Sequence, residues 1–589
     1  MRAHETFVGS VRSSAPAQIH SNSTAKDPNT WRAALRLPWH ILRPLAGLTY
    51  RLMRVHFIAI AIIGAGLVFR LSQFFSGRSM WLDESVLAIN ILHRSVGGLS
   101  HHLDFEQGAP LGFLVVVKVL ELGFGKSEDA LRLFPLLCGI GSLPLMYIVA
   151  RKVLTDAGAL IALLLFACAD GLIYYSTELK QYSCDVAAGL AISAVAITPG
   201  RPTWRRYAAA SVVGALAIWF SHATFFFLPA TFLAYGTYFV TQRAWSDLGR
   251  IVIVSFLLLG VSSALFYEIS FRDLGHLQSS VGNPATSGGG LRVVITNVGQ
   301  GMGLPFAQGG VPELVRPLAL ASALAGAIFL FRRRFDHSFI LGLPIAFVVG
   351  ATALHRYPTF ERTLLFVIPG VSLFVAHGIY SISRLARRTA LVVIVGAALT
   401  ILVAEHPVAA AARHLAHPRQ KEEIKPLLVE LVHRWQPGDS LYVYYSAQYA
   451  FRYYRECGCL GASSSAPPLS FATQTAVGHK LFSRALRSRP PHFVVGLWAQ
   501  GYPRLWARDR YNVYRRDVRR MLGQRRVWIL FSHANTIREL RFEDTELPRL
   551  LDRLGTRITR ISRFHSELFL YDLRAKGRRH GSTRSTTPP

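Results

Sequence analysis

Long apolar runs separated by short polar stretches fill the chain from residue 56 to residue 405. A helix needs about 17 to 25 apolar residues to cross a bilayer. Runs near or just below that length occur at 56–75, 130–150, 154–175, 184–199, 207–221, 223–240, 251–269, 314–331, 338–354, 363–380 and 389–405. The pattern predicts about eleven transmembrane helices. Beyond 406 it changes to alternating helix and strand, as in a soluble α/β domain. There an amphipathic helix is expected over Glu422 to Trp435, a turn at Gln436-Pro437-Gly438-Asp439 and a strand from Ser440 to Tyr445. Further strands fit His492 to Leu497, Arg526 to Phe531, Arg557 to Ile561 and Leu568 to Asp572, with a helix from Glu546 to Leu554. The predicted fold class is a mainly α polytopic membrane protein with a C-terminal soluble α/β domain.

Charge sets the orientation. Arg151 and Lys152; Arg201, Arg205 and Arg206; Arg243 and Arg250; Arg332, Arg333 and Arg334; and Arg384, Arg387 and Arg388 occupy every second loop, which marks those loops as cytoplasmic. Arg36, Arg43, Arg51 and Arg54 put the N-terminal tail on the same side. An odd number of spans then carries the C-terminal domain to the opposite face. One apolar stretch, Pro110 to Gly125, is short and holds Lys118 and Glu121; counting it as a span would break the alternation. It is expected to lie on the outer surface as an amphipathic helix. The resulting plan has a cytoplasmic tail at 1–55, a membrane domain at 56–405 with a long first outer loop at 76–129, a periplasmic α/β domain at 406–574 and a disordered basic tail at 575–589. An amphipathic approach helix fits Trp31 to Arg54, and the first 50 or so residues lack the features of a signal peptide. The expected location is a bacterial inner membrane.

Composition agrees: 51% of the 589 residues are hydrophobic and 17% charged, with mean hydropathy +0.29. The formal net charge of +31 is dispersed between apolar runs, which points to topology and to membrane lipids rather than to a nucleic-acid partner. Cys138, Cys168 and Cys184 lie in apolar runs. Cys457-Gly458-Cys459 has a spacing that suits neither an easy disulfide nor a four-ligand zinc site, so ordinary thiols are expected there.

Ionisable residues gather at the predicted outer ends of the spans, where carboxylates are costly unless they work or are paired. Trp81-Leu82-Asp83-Glu84 opens the first loop, and Phe105-Glu106-Gln107 precedes its surface helix. The next outer turn, Tyr174 to Asp185, holds Glu178, Lys180, Tyr182 and Asp185. Later turns supply His222 and then His355 to Arg362, with Arg356 and Arg362. Bases and phosphate-binding cations are thus offered on one face. Bland readings compete: Asp83 as a helix N-cap, Glu84 in a favourable first turn, Glu178, Lys180 and Asp185 as a structural ion cluster, Arg356 and Arg362 as interface anchors, His222 as an interfacial histidine.

These motifs, together with Gly125-x-Ser127-Glu128-x-x-x-Arg132 and Glu178-x-Lys180-x-Tyr182, resemble the GT-C glycosyltransferases over roughly residues 56 to 405. More narrowly, they resemble bacterial members of glycosyltransferase family 39, a protein mannosyltransferase-like group that includes lipid A aminoarabinose and rhizobial galacturonosyl transferases. The resemblance implies transfer of a sugar from a polyprenyl-phosphate donor to an envelope lipid, glycan or protein acceptor on the outer face. It implies Asp83 as the base, with Glu106 second, and Lys180, Arg356 or Arg362 as stabilisers of the leaving phosphate. Glu84, Glu178, Tyr182, Asp185 and His222 join the expected substrate-binding set. Some relatives carry Lys directly after the second acid; here that position is Gln107. No metal cluster is evident, and a divalent cation stays open as cofactor. Two other classes compete, a flippase or transporter of lipid-linked sugars and an inactive envelope scaffold. The one-sided gathering of polar residues favours the transferase over a transporter, whose polar groups would meet at mid-membrane.

Overall fold

A computed structural model of the chain describes residues 39–271, 290–304, 315–358, 360–386, 388–460, 493–495, 518–519, 521–533 and 543–574. The start of the expected approach helix and the basic tail at 575–589 lie outside the described residues. The chain divides into Met1–Phe57 and Ile58–Pro589, and the contacts described below all lie in the second unit.

Among the described residues seven helices are long and apolar enough to cross a membrane: Arg54–Phe74, Glu128–Val153, Thr224–Thr241, Trp245–Ile269, Phe335–Ala353, Glu361–Ser383 and Thr389–Ala416. The protein is therefore an integral membrane protein. The other four apolar runs are also helical. Asp156–Ala167, Tyr182–Ala196 and Trp204–Ala217 are shorter than a span needs, and Val315–Arg333 ends in Arg332 and Arg333. Asp156–Ala167 is followed by a break and a six-residue helix, Asp170–Tyr175, so the run expected as one span at 154–175 is two pieces.

Local sequence explains the helix ends. Ser127 caps Glu128–Val153 by accepting the Ala130 N–H, Glu128 and Asp129 occupy its first turn, and Arg151 and Lys152 its last, in the sense the helix dipole favours. Small residues let helices touch. A Cβ placed on Gly326 would stand 1.9 Å from the Phe374 carbonyl, and one on Gly378 1.8 Å from that of Ser322. Helices Val315–Arg333 and Ile368–Ser383 thus cross backbone to backbone.

The first loop folds into helices Leu82–His93 and Leu111–Phe124 joined by short 3-10 turns. In Leu111–Phe124, Lys118 and Glu121 are buried, paired at 2.8 Å, with Lys118 also donating to the Ile91 carbonyl at 2.9 Å, while Val119, Leu122 and Phe124 are exposed. The polar pair faces inward and the apolar side outward, the reverse of a simple surface helix.

The C-terminal part forms a five-stranded mixed sheet in the order β2-β1-β3-β5-β4, with β1 Ser440–Val443, β2 Phe493–Val495, β3 Val527–Ser532, β4 Thr556–Arg563 and β5 Ser566–Asp572. β1 pairs parallel with β2 and β3, while β5 pairs antiparallel with β3 and β4. The central strand β3, Val-Trp-Ile-Leu-Phe-Ser, is buried throughout, whereas the edge strand β4 is studded with Arg557, Arg560 and Arg563, which discourages further pairing. Helix Lys425–Arg434 is shorter than expected: Pro426 sits at its first turn and residues 422–424 before it are not part of a helix.

A single apolar core joins this sheet to the first loop: Leu87, Ile91, Phe113 and Val117 pack in one cluster with Leu427, Tyr453 and Trp528. Helix Thr389–Ala416 also continues past residue 405. One expectation is overturned here. Cys457 and Cys459 are joined in a disulfide. Gly458 lies at φ +71° just after helix Ala447–Glu456, a left-handed bend that brings the two Cα atoms to 5.3 Å despite the one-residue spacing.

Candidate active site

The site begins with a structural anchor. Glu84, in the first turn of Leu82–His93, is 0% exposed and receives four hydrogen bonds. Arg132 donates from Nε to Oε1 and from Nη2 to Oε2, both at 2.7 Å; Arg78 Nη1 reaches Oε2 at 3.1 Å; the Leu179 N–H reaches Oε1 at 2.8 Å. Arg132 also holds the Arg78 and Ser79 carbonyls at 3.0 and 3.2 Å. Three separated segments, 78–84, the start of Glu128–Val153 and the 174–182 turn, are tied together through one carboxylate. Burial pushes the Glu84 carboxyl up, but Arg132 and Arg78 outweigh it and hold it below the usual range.

Its neighbour faces the other way. Asp83 lies inside the first turn, N-capped by Trp81, so it does not itself cap the helix. Its Oδ2 pairs with Arg362 Nη1 at 3.0 Å, and both side chains remain 24% exposed. Burial raises the Asp83 carboxyl, yet Arg362, Lys180, Lys421 and His533 together bring it below its ordinary value. Arg362 also lies over the rings of Trp81 (5.3 Å) and Phe360 (5.2 Å), and its Nε has no hydrogen-bond acceptor among the described residues.

Lys180 Nζ donates to Gln107 Oε1 at 2.7 Å, so Gln107 offers it a neutral acceptor. Burial lowers the Lys180 ammonium despite the pull of Asp83. Glu178 is 0% exposed and pairs with Lys421 at 3.1 Å. Tyr182 stacks edge-on against Tyr175, centroids 5.7 Å apart.

Not every expected residue reaches this cluster. Asp185 accepts from Ser221 Oγ at 2.7 Å and from the Ala223 N–H at 3.5 Å, which ties the helix start to the 221–223 turn. His222 sits in that turn, with its ring 5.9 Å from Phe266 and its pKa lowered to about 4 by burial, hence neutral at physiological pH. Arg356 is exposed and joins no ion pair among the described residues. Glu106 ends the 3-10 turn Asp104–Glu106, and its side chain lies outside the described residues.

The segment between helix Thr389–Ala416 and helix Lys425–Arg434 supplies what the sequence reading missed. Gln73 clasps its backbone at Arg419, donating to the carbonyl at 2.8 Å and accepting from the N–H at 3.0 Å. Arg419 bridges Asp170 (2.7 Å) and Glu361 (3.1 Å). Lys421 Nζ lies 3.7 Å from the centre of the Trp81 ring, and 5.1 and 4.8 Å from those of Tyr174 and Tyr175. Glu423 accepts from Ser79 N–H and Oγ at 3.2 Å each, and Lys425 pairs with Glu128 at 2.5 Å. From the sheet, His533 at the end of β3 bonds to Glu422 and lies 6.2 Å from the Trp81 ring. The available signal was Arg419-Gln420-Lys421-Glu422-Glu423-Ile424-Lys425 itself, a charge run directly after a predicted outer span end. Among the described residues no group of three or more His, Cys, Asp or Glu is arranged to hold a metal ion.

The helical membrane domain with its small C-terminal mixed sheet resembles GT-C fold structures. No family model and no curated protein matches the sequence. Among solved structures the chain is similar to ArnT from Cupriavidus metallidurans in the apo state, with TM-score 0.51 and 13% identity over 89% of this chain and 98% of that one. The same protein bound to undecaprenyl phosphate aligns at TM-score 0.48 and 13% identity over the same shares. Archaeal oligosaccharyltransferase AglB from Archaeoglobus fulgidus, in complex with an inhibitory peptide and a dolichol-phosphate, aligns at TM-score 0.42 and 12% identity, covering 67% of this chain and 63% of that one. At such identities the likeness to ArnT establishes the fold.

Proposed function

We propose that the chain is a membrane glycosyltransferase that moves a sugar from a polyprenyl-phosphate donor to an envelope acceptor at the periplasmic face of a bacterial inner membrane. In this reading its eleven apolar helical runs put the N-terminus in the cytoplasm and the sheet domain in the periplasm, as the basic loops require. The observation that carries the proposal is Asp83: a partly exposed carboxylate at the span ends, paired at 3.0 Å with Arg362 and held ionised by Lys180, Lys421 and His533 as well. The GT-C fold shared with ArnT supports it.

The chemistry follows from the charges. A donor phosphate is anionic and engages Arg362, Lys180 and Lys421, the cations that otherwise restrain Asp83. Once those charges are compensated, the Asp83 carboxylate becomes a stronger base. It takes the proton of an acceptor hydroxyl as that oxygen bonds to the anomeric carbon, and the carbon–oxygen bond to phosphate breaks with its electron pair staying on the phosphate. Donor binding thereby switches on the base. Glu84 in this scheme is a positioning residue. The test is transfer of radiolabelled sugar from a panel of polyprenyl-phosphate sugars to membrane extracts by purified wild type and Asp83→Asn at equal folded yield. Transfer lost in the variant is expected; an equally active variant removes Asp83 as base.

A further inference from the structure

Two thiols that the transfer reaction does not use lie directly beneath the site. Cys138, on helix Glu128–Val153, and Cys184, in the first turn of Tyr182–Ala196, have their sulfurs 3.1 Å apart. That is closer than two non-bonded sulfurs ordinarily sit. Neither is in a disulfide; Cys184 is buried and Cys138 half-buried.

The surrounding contacts make the approach a built one. Ser183 Oγ donates to the Pro135 carbonyl at 2.9 Å, one turn before Cys138. A Cβ on Gly139 would stand 2.3 Å from the Ser176 Cβ, so the chain entering the 174–182 turn rests on the helix with no atom between. Pro135 lacks the N–H that would continue the helical ladder, which loosens the helix at the point where the turn docks. Docking therefore falls to contacts at 135, 138 and 139, and a covalent bond there would fix the turn that carries Glu178 and Lys180.

We infer that Cys138 and Cys184 form a redox-responsive disulfide that clamps the 174–182 turn to helix Glu128–Val153. The co-reactant is a small or protein disulfide. The half-buried Cys138 thiolate attacks one sulfur of that disulfide, giving a mixed disulfide and releasing one thiol. Cys184, losing its proton, then attacks the Cys138 sulfur and releases the second thiol. Two cysteine thiols are oxidised, one external disulfide is reduced to two thiols, and both protons leave with them.

The experiment uses the full-length protein purified in lipid nanodiscs. One sample is treated with dithiothreitol and another with oxidised glutathione. Free thiols are then blocked with N-ethylmaleimide under denaturing conditions, and peptides are mapped by mass spectrometry without reduction. The expected result is joint loss of maleimide at Cys138 and Cys184 in the oxidised sample, a cross-linked peptide containing both, and a higher melting midpoint than in the reduced sample. Cys168 remains labelled in both samples, and Cys138→Ser abolishes the cross-link and reduces the melting difference to the part that the Cys457–Cys459 disulfide contributes, which Cys457→Ser with Cys459→Ser measures separately. Full labelling of both cysteines after oxidation, or pairing of either with another partner, overturns the inference. Because mapping of the wild type decides the pairing, poor folding of the variant does not spare it, and neither readout depends on transferase activity.

Discussion

Adjacent residues Asp83 and Glu84 should respond oppositely to neutralisation. Glu84 is 0% exposed and the two arginines on it are each 2% exposed. Glu84→Gln keeps the shape but leaves Arg78 and Arg132 as uncompensated buried charges, a change that costs about 3–5 kcal/mol when one partner of a buried pair is removed. Against a total stability of roughly 5–15 kcal/mol that is a large fraction. Asp83→Asn breaks a pair whose members are 24% exposed, for which about 1 kcal/mol or less is expected. The assay is denaturant unfolding of the nanodisc-embedded protein, followed by tryptophan fluorescence, for wild type, Glu84→Gln, Asp83→Asn, Arg132→Met and Glu84→Gln with Arg132→Met. The double variant should lose less than the sum of its parts, since Met removes one orphaned charge. The pH sign is fixed as well: the folded Glu84 carboxyl lies below its unfolded value of about 4.3, so its stabilisation is present above that value and fades as pH falls through the depressed one. The gap between wild type and Glu84→Gln therefore narrows in acid. A Glu84→Gln protein that unfolds with the wild type, or that loses donor affinity at unchanged stability, would refute the anchor role and make Glu84 a substrate ligand.

Arg362→Gln should lower kcat/KM roughly 10- to 150-fold, from the ~1.5–3 kcal/mol of a hydrogen bond to a charged group. It should also move the acid limb of the pH–rate profile upward, because Arg362 heads the groups that hold Asp83 down against burial; an unmoved limb would separate that titration from Asp83. Lys421→Met should destabilise by removing the ion-pair partner of the buried Glu178, and Glu178→Gln added to it should restore stability but not transfer, which melting and activity measured side by side will distinguish. His533 is pushed down by burial but raised on balance by Glu422. Its pairing should stabilise the fold below the ordinary histidine value and weaken as pH rises through the raised one, a dependence that unfolding of Glu422→Gln across pH 5–9 should lack.

How far the sequence reached follows from what hydropathy and charge encode. Apolar runs mark helices, so all eleven fall on helical segments; four fall short of a span or end in charge, because length within a run is softened by Pro, Gly and breaks such as Cys168-Ala169. The strands at 440, 527 and 566 were legible as short apolar runs rich in β-branched and aromatic residues. Asp83, Lys180 and Arg362 were singled out through motifs at span ends, and they lie in one charge cluster. Which carboxylate is buried in ion pairs and which stays partly exposed was not legible, because Asp83 and Glu84 are chemically alike and differ only in what Arg132 and Arg362 reach. Lys421 and Arg419 were missed since a charge run at a domain start reads as solvated surface, and its fold back over Trp81 depends on the Gln73 clasp, 346 residues away in sequence. The Cys457–Cys459 bond was not expected from its one-residue spacing.

The stretch from Arg419 to Lys425 is at once a tether and an electrode. It hangs the sheet domain from the last membrane helix while holding Lys421 against Trp81 and Glu178. The same strip of backbone thus joins the sheet to the charges around Asp83. The membrane half of this chain is consequently not a module that recombination could pass between proteins by cutting after the last span. Any exchange that replaced the sheet would have to preserve these seven residues or rebuild the electrostatics elsewhere.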